Sequence, residues 1–187
     1  MVMWMKNIII IGTPRCGKTT LANMIYDKIK CQIIHGDYQR IAIDLAFPEL
    51  NIKTNKNFSK CLEILVRKYL RDNKYKYPVI LESTDITLED IDKYFDKDNS
   101  IIICLGTISI DYMKFASEII KNDTKLDWTK DYSRKEIEAM CKEYIEISKK
   151  NLDECKKRNI KFIDTSINRN NVLNNLLNEI LSLINTL

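Results

Sequence analysis

The stretch that decides the fold is Gly12-Thr13-Pro14-Arg15-Cys16-Gly17-Lys18-Thr19-Thr20. It fits the pattern G-x-x-x-x-G-K-[ST], in which x stands for any residue. Residues 6–11 precede it as a short apolar, β-branched run, which is typical of a buried strand. In residues 21–29, which follow it, apolar side chains recur at helical spacing. The sequence therefore predicts a strand, a glycine-bounded loop and a helix, in the order that this pattern requires.

Such a loop is a phosphate-binding loop, or P-loop, and its chemistry follows from its backbone. N–H groups of the loop and of the helix start point inward and form a nest for anions. Glycines at both ends allow backbone angles that a Cβ would block. We expect Lys18 to contact the β- and γ-phosphates of a nucleoside triphosphate, and the Thr19 hydroxyl to ligate Mg²⁺. The predicted nucleotide-binding residues are Gly12, Thr13, Arg15, Cys16, Gly17, Lys18, Thr19 and Thr20.

The composition of the chain limits the classes to which the protein can belong. The chain has 187 residues, 45% of them hydrophobic, which predicts a single globular domain over residues 1–187. Its net charge of +4 suits a phosphorylated ligand and is too small to indicate nucleic acid. No apolar run approaches the ~18 residues of a membrane span, and the N-terminus lacks a signal-peptide layout. Six cysteines without a C-x-x-C pair, one inside the P-loop, favour a reducing cytoplasm. The oligomeric state is left open.

Further apolar runs alternate with helical patterns along the chain. Predicted strands cover residues 31–35, 77–81, 100–105 and 160–164, and predicted helices cover 37–45, 58–70, 87–95, 111–121, a long segment from 133, and one from 170. Five strands alternating with helices predict an α/β fold of three layers, a parallel sheet with helices on both faces. Ligands of such sheets bind at the carboxyl ends of the strands. Those ends are the P-loop, Gly36-Asp37, Glu82-Ser83, Gly106-Thr107 and Asp164-Thr165-Ser166.

The loop, the acidic residues at strand ends and the chain length resemble the small P-loop kinases, the group of adenylate, shikimate, gluconate and adenylylsulfate kinases. The run His35-Gly36-Asp37-Tyr38-Gln39-Arg40 looks like the Gly-Asp-x-x-Arg segment of adenylylsulfate-type kinases. The resemblance implies strand order 2-3-1-4-5, ATP as phosphoryl donor, Mg²⁺ as metal, and a small acceptor near the second and third strand ends. It also places Thr165 where this group lines its adenine pocket. The acceptor stays open among nucleosides, nucleotides and hydroxylated metabolites.

Three side chains are candidates for work around the phosphates and the acceptor. Asp37 is expected to accept the proton of an acceptor hydroxyl or to hold a Mg²⁺-bound water. Arg40, one helical turn later, is expected to bind an acceptor phosphate or carboxylate. Glu82 ends a predicted strand beside the P-loop strand, where a carboxylate polarises a Mg²⁺ ligand through water. The alternatives are a helix cap for Asp37, a solvated charge for Arg40 and a turn residue for Glu82.

Kinases of this group commonly close an arginine-bearing lid after the fourth strand, since charge on the γ-phosphoryl group needs guanidinium donors. Residues 107–133, the candidate lid, contain four lysines and no arginine. Arg134 follows at once and is the predicted catalytic arginine. Arg15 is expected to lie over the phosphates, to face solvent, or to meet Asp37 or Glu82.

Other parts of the sequence bear on alternative functions. Thr124-Lys125-Leu126-Asp127 fits the guanine-specificity pattern [NT]-K-x-D, but it follows a polar, helix-like segment and no D-x-x-G follows the third strand. A GTPase is therefore disfavoured. A nucleic-acid-stimulated ATPase lacks a basic stripe with interleaved aromatic residues. A nucleotide-binding regulatory protein with little or no phosphotransfer remains the alternative to a kinase.

Overall fold

Five strands form one parallel sheet in the computed structural model, which describes residues 6–52, 57–72, 74, 76–125 and 127–185. Their spatial order is β2-β3-β1-β4-β5, and every neighbouring pair is parallel. The order and the fold class predicted from the sequence are confirmed. The strands are β1 (Asn7–Gly12), β2 (Gln32–His35), β3 (Val79–Ser83), β4 (Ser100–Gly106) and β5 (Lys161–Asp164).

Seven helices surround the sheet within the described ranges. They are α1 (Lys18–Ile29), α2 (Gly36–Ala46), α3 (Phe58–Asp72), α4 (Leu88–Tyr94), α5 (Tyr112–Asn122), α6 (Arg134–Arg158) and α7 (Arg169–Asn185). Short 3₁₀ turns lie at Pro48–Leu50 and Trp128–Asp131. None of these described helices combines the length and the apolar character that crossing a membrane requires.

Two hydrophobic cores explain why the strands lack an alternating pattern. Helices α1 and α7 bury Leu21 and Leu173 against one face of the sheet. Helices α3 and α4 bury Leu62 and Ile91 against the other face, together with Cys155 of α6. All six residues of β1 are buried, because this strand is central and both of its faces are covered. A third cluster joins α5 to α6.

The ends of the elements follow local chemistry in most places. Thr87 and Ser133 form capping boxes at the starts of α4 and α6, as the sequence predicts for Ser133. The third strand differs from its prediction of 77–81, since it runs from Val79 to Ser83. Its pairing with β1 joins Ile10 to Glu82. Glu82 consequently lies within the ladder, between two neighbouring strands.

The six cysteines are all free thiols. Cys61 on α3 is exposed, and the other five are buried. Burial raises the pKa of the Cys31 thiol to about 11 and, helped by the charge of Glu138, raises the pKa of Cys141 to about 11. Buried thiols of this kind pack as small apolar side chains.

Candidate functional site

The P-loop turns between β1 and α1 at two glycines that no other residue would replace without strain. Gly12 has a φ of +139°, and a Cβ at this position would lie 1.9 Å from the Leu105 carbonyl oxygen of β4. Gly17 has a φ of +99° and immediately precedes α1. The loop therefore stays close to β4 and leads directly into a helix N-terminus, where backbone N–H groups favour an anion.

Lys18 lies inside the loop and not on the surface. The residue is only 5% exposed, and its Nζ donates to the Thr13 carbonyl oxygen at 2.8 Å. A lysine ammonium carries three donors. Within the described part of the chain this is the one hydrogen bond that the ammonium makes. This hydrogen bond fixes the Lys18 ammonium against the P-loop backbone. The other two N–H donors of the ammonium stay available to an anion.

Through one of its oxygens, Glu82 of β3 contacts both the start of α1 and the end of β2. Its Oε1 accepts from the Thr19 hydroxyl at 3.1 Å and lies 2.7 Å from His35 Nδ1. The residue is 2% exposed, and Oε2 is buried with no hydrogen-bond partner among the described residues. A buried carboxylate oxygen without a donor is costly unless something else satisfies it. This oxygen therefore points to a bound group.

The donors at this point suit a hard divalent cation. A hydroxyl and a carboxylate are ligands that Mg²⁺ accepts, and Mg²⁺ commonly binds through one or two protein groups plus phosphates and waters. The described residues contain no cluster of three or more His, Cys, Asp or Glu side chains that could hold a metal by themselves. Thr19 and Glu82 thus fit a cation that arrives with a phosphorylated ligand.

Asp37, on the first turn of α2, fixes the turn that follows β3. Its Oδ1 accepts from Ser83 Oγ at 3.1 Å and from the Thr84 backbone N–H at 2.9 Å, and its Oδ2 accepts from Thr84 Oγ1 at 2.9 Å. A carboxylate offers about four lone-pair sites. Asp37 is therefore held firmly next to Thr84 and keeps about one acceptor site.

Arg40 is paired with two carboxylates. Its Nε donates to Asp85 Oδ2 at 2.7 Å, and its Nη1 donates to Asp44 Oδ2 at 3.2 Å. Burial raises the pKa of the Asp85 carboxyl more than its bond to Arg40 lowers it, and the nearby charge of Asp37 raises it further. Asp37, Arg40, Asp44 and Asp85 thus form one cluster of three acids and one base, called here the Arg40 cluster.

Arg15 reaches the segment after α5. Of its three predicted alternatives, a contact with Asp37 or Glu82 is therefore wrong. Arg15 has a left-handed φ of 62°, donates to Asp127 Oδ1 at 2.7 Å, and also contacts Asp123 and Thr129. Hydrogen bonds from Thr124, followed by those from Arg15, lower the pKa of Asp127 to about 2. Residues 123–129, called here the lid segment, therefore contact the P-loop; Leu126 within it lies outside the described residues.

Three further predicted nucleotide-binding residues, Thr165, Cys16 and Thr20, differ in their burial. Thr165 is fully buried, and its Oγ1 donates to the carbonyl oxygens of Cys16 at 2.8 Å and Gly106 at 3.1 Å. Its side chain thus ties β4 and β5 to the P-loop. Cys16 is buried, whereas Thr20 is exposed on α1.

Arg134 lies at the start of α6 and is largely exposed. Its Nε donates to Glu138 Oε1 at 2.9 Å, and its Nη2 donates to Ser117 Oγ at 3.0 Å. Within the described ranges it makes no hydrogen bond or ion pair to a P-loop residue. The structure therefore brings Lys18, Thr19, Glu82 and Thr165 together and leaves Arg134 on the helix surface.

Sequence reasoning missed two residues that border the P-loop. Ser148 of α6 is fully buried, and its Oγ contacts Thr13 Oγ1 at 3.1 Å and accepts from the Thr107 N–H at 3.1 Å. Its signal was a single hydroxyl on the apolar face of a long helix. Arg169 begins α7, where the helix dipole disfavours a cation. Its buried Nε has no partner among the described residues, and with Arg15 it lines a cavity of about 60 Å³.

A second cavity, of about 160 Å³, opens beside the first residues of the P-loop. It is called here the Thr84 cavity. Its walls come from the P-loop, from the turn after β3 with the start of α4, and from α6. The residues that line it are Ile11, Gly12, Thr13, Pro14, Thr84, Ile86, Thr87, Leu88, Ile147 and Asn151.

Several solved structures to which this chain is similar are small kinases. Shikimate kinase from Bacteroides thetaiotaomicron is 13% identical with a TM-score of 0.57, over 97% of this chain and 99% of its own. A gluconokinase from Sinorhizobium meliloti is 10% identical with a TM-score of 0.59, over 98% and 95%. Shikimate kinase from Acinetobacter baumannii, in complex with shikimate, is 16% identical with a TM-score of 0.52, over 97% and 94%. The resemblance to small P-loop kinases is confirmed at the level of the fold.

Sequence comparisons give a partial match only. The large subunit of ribonucleoside-diphosphate reductase from monkeypox virus is 35% identical over 85 residues, which are 46% of this chain and 11% of that protein. The vaccinia virus subunit matches over the same share of its length. The chain thus spans about a tenth of the curated relatives that it matches. No protein-family profile matches the chain.

Proposed function

We propose that this protein is an ATP-dependent kinase that transfers the γ-phosphoryl group to a small acceptor. The observation that carries the proposal is the buried, unpaired Oε2 of Glu82 beside the hydroxyl of the P-loop residue Thr19. A loop with a purely structural role has no use for a carboxylate oxygen buried without a donor. The fold shared with shikimate kinase and gluconokinase supports the same proposal.

On the donor side, we assign the triphosphate to the P-loop backbone. Backbone N–H groups between Gly12 and Thr20, except at Pro14, which has none, supply the anion nest, and the inward ammonium of Lys18 contacts the β- and γ-phosphates. Thr165 keeps the Cys16 carbonyl in place and so positions the loop near the proposed adenine site. The guanidinium groups of Arg15 and Arg169 border the same loop and offer further donors to phosphate oxygens.

Thr19 and Glu82 would hold Mg²⁺, the hydroxyl directly and the carboxylate directly or through water. When bound, Mg²⁺ neutralises charge on the β- and γ-phosphate oxygens. The residues of this chain orient it: His35 fixes Oε1 of Glu82, which leaves Oε2 as the free acceptor.

On the acceptor side, we propose that Asp37 accepts the proton of the attacking hydroxyl. Its carboxylate is held against Thr84, which lines the Thr84 cavity next to the P-loop residue Thr13. The firm hydrogen bonds of Asp37 favour a fixed orientation and leave about one lone pair for the proton. Arg40 is paired with Asp85 and Asp44, so we keep it only as a candidate contact to an uncharged group of the acceptor. Arg134 remains a candidate catalytic arginine that would have to move.

A nucleotide-binding regulatory protein with little phosphotransfer is the second candidate. It is favoured by the position of Arg134, which is engaged by Glu138 and Ser117. If no guanidinium reaches the γ-phosphoryl group, transition-state charge is poorly stabilised and turnover is slow. Binding of ATP without acceptor-dependent turnover would be its signature.

We also propose that the protein works in the cytoplasm on a small-molecule partner. Its six free thiols suit a reducing compartment. Its net charge of +4 is modest, so neither nucleic acid nor a membrane surface is proposed as a partner.

The proposal is tested by ADP release from Mg²⁺–ATP in the presence of nucleosides, nucleoside monophosphates and hydroxylated acids. Lys18→Ala and Asp37→Ala are the test variants, and Lys28→Ala, on the exposed side of α1, is the matched control. One acceptor class should raise turnover. Lys18→Ala should abolish both turnover and ATP binding, and Asp37→Ala should abolish turnover alone. Normal ATP binding with no acceptor response across the panel would favour the regulatory protein.

A further inference from the structure

We infer that the acceptor is an uncharged hydroxylated molecule, and that nucleoside monophosphates and sugar acids are rejected. The inference deepens the proposed function, because it assumes that the Thr84 cavity receives the acceptor. It rests on the charges around that cavity and on the partners of Arg40, which belongs to the cluster of charges next to Thr84.

The position of the Thr84 cavity suits an acceptor. Thr13 lines it, and the carbonyl oxygen of Thr13 accepts the hydrogen bond of the Lys18 ammonium. The lysine of a P-loop contacts the β- and γ-phosphates, so this cavity lies at the end of the loop where the transferred group would sit. Its volume of about 160 Å³ suits a compact molecule or the hydroxyl-bearing end of a larger one.

None of the described residues that line the cavity has a charged side chain. Ile86 and Leu88 are buried and form an apolar wall with Ile147 of α6. The Thr84 and Thr87 hydroxyls are already bonded, to Asp37 and to Asp90. Asn151 contributes an amide that can both donate to and accept from a hydroxyl. Such a lining recognises an alcohol with an apolar face and offers no counter-ion to an anion.

The guanidinium groups around the cavity are already paired with carboxylates. Arg15, which follows the lining residue Pro14, is paired with Asp123 and Asp127. Arg40 donates to Asp85 at 2.7 Å and to Asp44 at 3.2 Å, so two carboxylates already compete for it. Asp37 adds a third, and its charge acts on both Arg40 and Asp85. Arg40, the three acids and Thr84 are contiguous, since Asp37 binds Thr84 and Asp85 follows it in sequence. The Arg40 cluster carries a formal charge of about −2 when its acids are ionised, and it disfavours an incoming phosphate or carboxylate.

Matched pairs of probes test the inference directly. We would measure the affinities of adenosine and AMP, and of sorbitol and gluconate, for the protein saturated with Mg²⁺–ADP, using calorimetry. We expect the uncharged member of at least one pair to bind at least about tenfold more tightly than its anion. This corresponds to about 1.4 kcal/mol, within reach of a few partly screened charges.

A double variant tests the stated cause of the selectivity. Asp44→Asn/Asp85→Asn removes both ionic partners of Arg40 and should narrow the ratio of affinities to about threefold or less. Asp27→Asn/Asp98→Asn removes the same formal charge at exposed positions outside the cluster and should leave the ratio unchanged.

Three results would overturn the inference: equal or tighter binding of the anions by the natural protein, no binding of any uncharged probe, or an unchanged ratio in a folded Asp44→Asn/Asp85→Asn variant. The kinase proposal is judged separately by ADP release. Binding of an uncharged probe without any ADP release would sink the kinase proposal and leave the selectivity standing.

Discussion

At the scale of single residues, the two oxygens of Glu82 stand in different surroundings. Oε1 has two partners, Thr19 and His35, whereas Oε2 is buried without one among the described residues. An ionised carboxylate in this position is stabilised when a cation is bound nearby. Glu82 is thus the residue at which the proposed role of Mg²⁺ is most open to experiment.

Glu82→Gln is expected to weaken the dependence of ATP binding on Mg²⁺. The amide keeps the size of the side chain and loses the charge, so ATP without Mg²⁺ should bind the variant as it binds the natural protein. The factor by which Mg²⁺ increases the affinity for ATP should be about tenfold smaller in the variant. Such a tenfold change corresponds to about 1.4 kcal/mol. Titration of ATP with and without Mg²⁺ measures the difference, and Glu89→Gln on the exposed side of α4 is the control. An unaltered Mg²⁺ effect would exclude Glu82 from the metal site.

Gly12→Ala is expected to destabilise the fold, because the new Cβ would lie 1.9 Å from a backbone oxygen at a φ of +139°. The backbone of β4 cannot move away without breaking its pairing with β1. A loss of about 3 kcal/mol or more in the free energy of unfolding follows from such strain. Urea denaturation measures it, with Thr20→Ala as the control. A loss below about 1 kcal/mol would show that the strand ends can separate.

The residues of the P-loop could be predicted because their roles depend on neighbours in sequence. Gly12 shapes the loop through its backbone, and the Lys18 side chain bonds Thr13 within the same short loop. The partners of Arg15 could not be predicted, since Asp123 and Asp127 lie 108 and 112 residues away along the chain. Only the tertiary fold, which places the segment after α5 next to the P-loop, brings them together. The free oxygen of Glu82 depends likewise on His35 in a neighbouring strand.

At the scale of elements, the lid segment contacts the P-loop through opposite charges. Arg15 faces the carboxylates of Asp123 and Asp127, and its guanidinium lies 6.0 Å from the centre of the Trp128 ring. The lid of an arginine-bearing kinase would present the cation from the other side. In this chain the P-loop carries the guanidinium and the lid segment carries the acids. If the proposed nucleotide binds at the P-loop, its phosphates would compete with these acids for Arg15.

The contact between these elements should weaken in acid. The pKa of Asp127 is lowered from 3.8 to about 2, mainly by Thr124 and then by Arg15. An ionised carboxylate with a lowered pKa stabilises the contact between the lid segment and the P-loop at pH values above its ordinary pKa. That stability is lost as the pH falls from about 4 toward 2 and Asp127 is protonated. Carboxyl NMR of Asp127 measures the titration. Arg15→Gln should raise the pKa of Asp127 only in part, because Thr124 remains; an unchanged pKa would remove Arg15 from the cause.

Element ends were predicted well where a side chain caps a helix. Ser133 and Glu136 bond each other's backbone N–H groups, as their spacing indicates. The third strand begins and ends two residues later in the structure than the sequence predicts, because its bounds are set by pairing with β1 and β2 and not by its own composition. That shift decides the site, since it places Glu82 inside the sheet.

At the scale of the whole molecule, the site is assembled from the carboxyl ends of neighbouring parallel strands. In the ladder, His35 of β2 pairs with Glu82 of β3, and Gly12 of β1 pairs with Leu105 of β4. Nucleotide binding at this edge should therefore stabilise the whole sheet and not one loop alone.

Mg²⁺–ATP is expected to raise the unfolding temperature. At a hundred times its dissociation constant, a ligand of the folded state adds about 2.7 kcal/mol, or roughly 5–10 °C for a chain of this size. Differential scanning calorimetry measures the shift. Lys18→Ala should remove it and Lys28→Ala should preserve it. Equal shifts in both variants would mean that ATP binds away from the P-loop.

The fold as a whole was predictable, because alternating strands and helices leave few arrangements and the P-loop resemblance selects one order. The acceptor site was less predictable. Arg40 looked available for an anion when only its spacing from Asp37 was known. Its pairing with Asp85 depends on α2 packing over the turn after β3, a contact between segments 45 residues apart.

The single exposed thiol gives the protein a built-in point for spectroscopy. Cys61 precedes Leu62, whose side chain lies 3.1 Å from where a Cβ would stand at Gly36, the first residue of α2. A maleimide dye should attach there selectively, since the other five thiols are buried. The label would sit on α3, one residue from the contact between Leu62 and the start of α2, so a change in its fluorescence would report a change at that contact when nucleotide or acceptor is added.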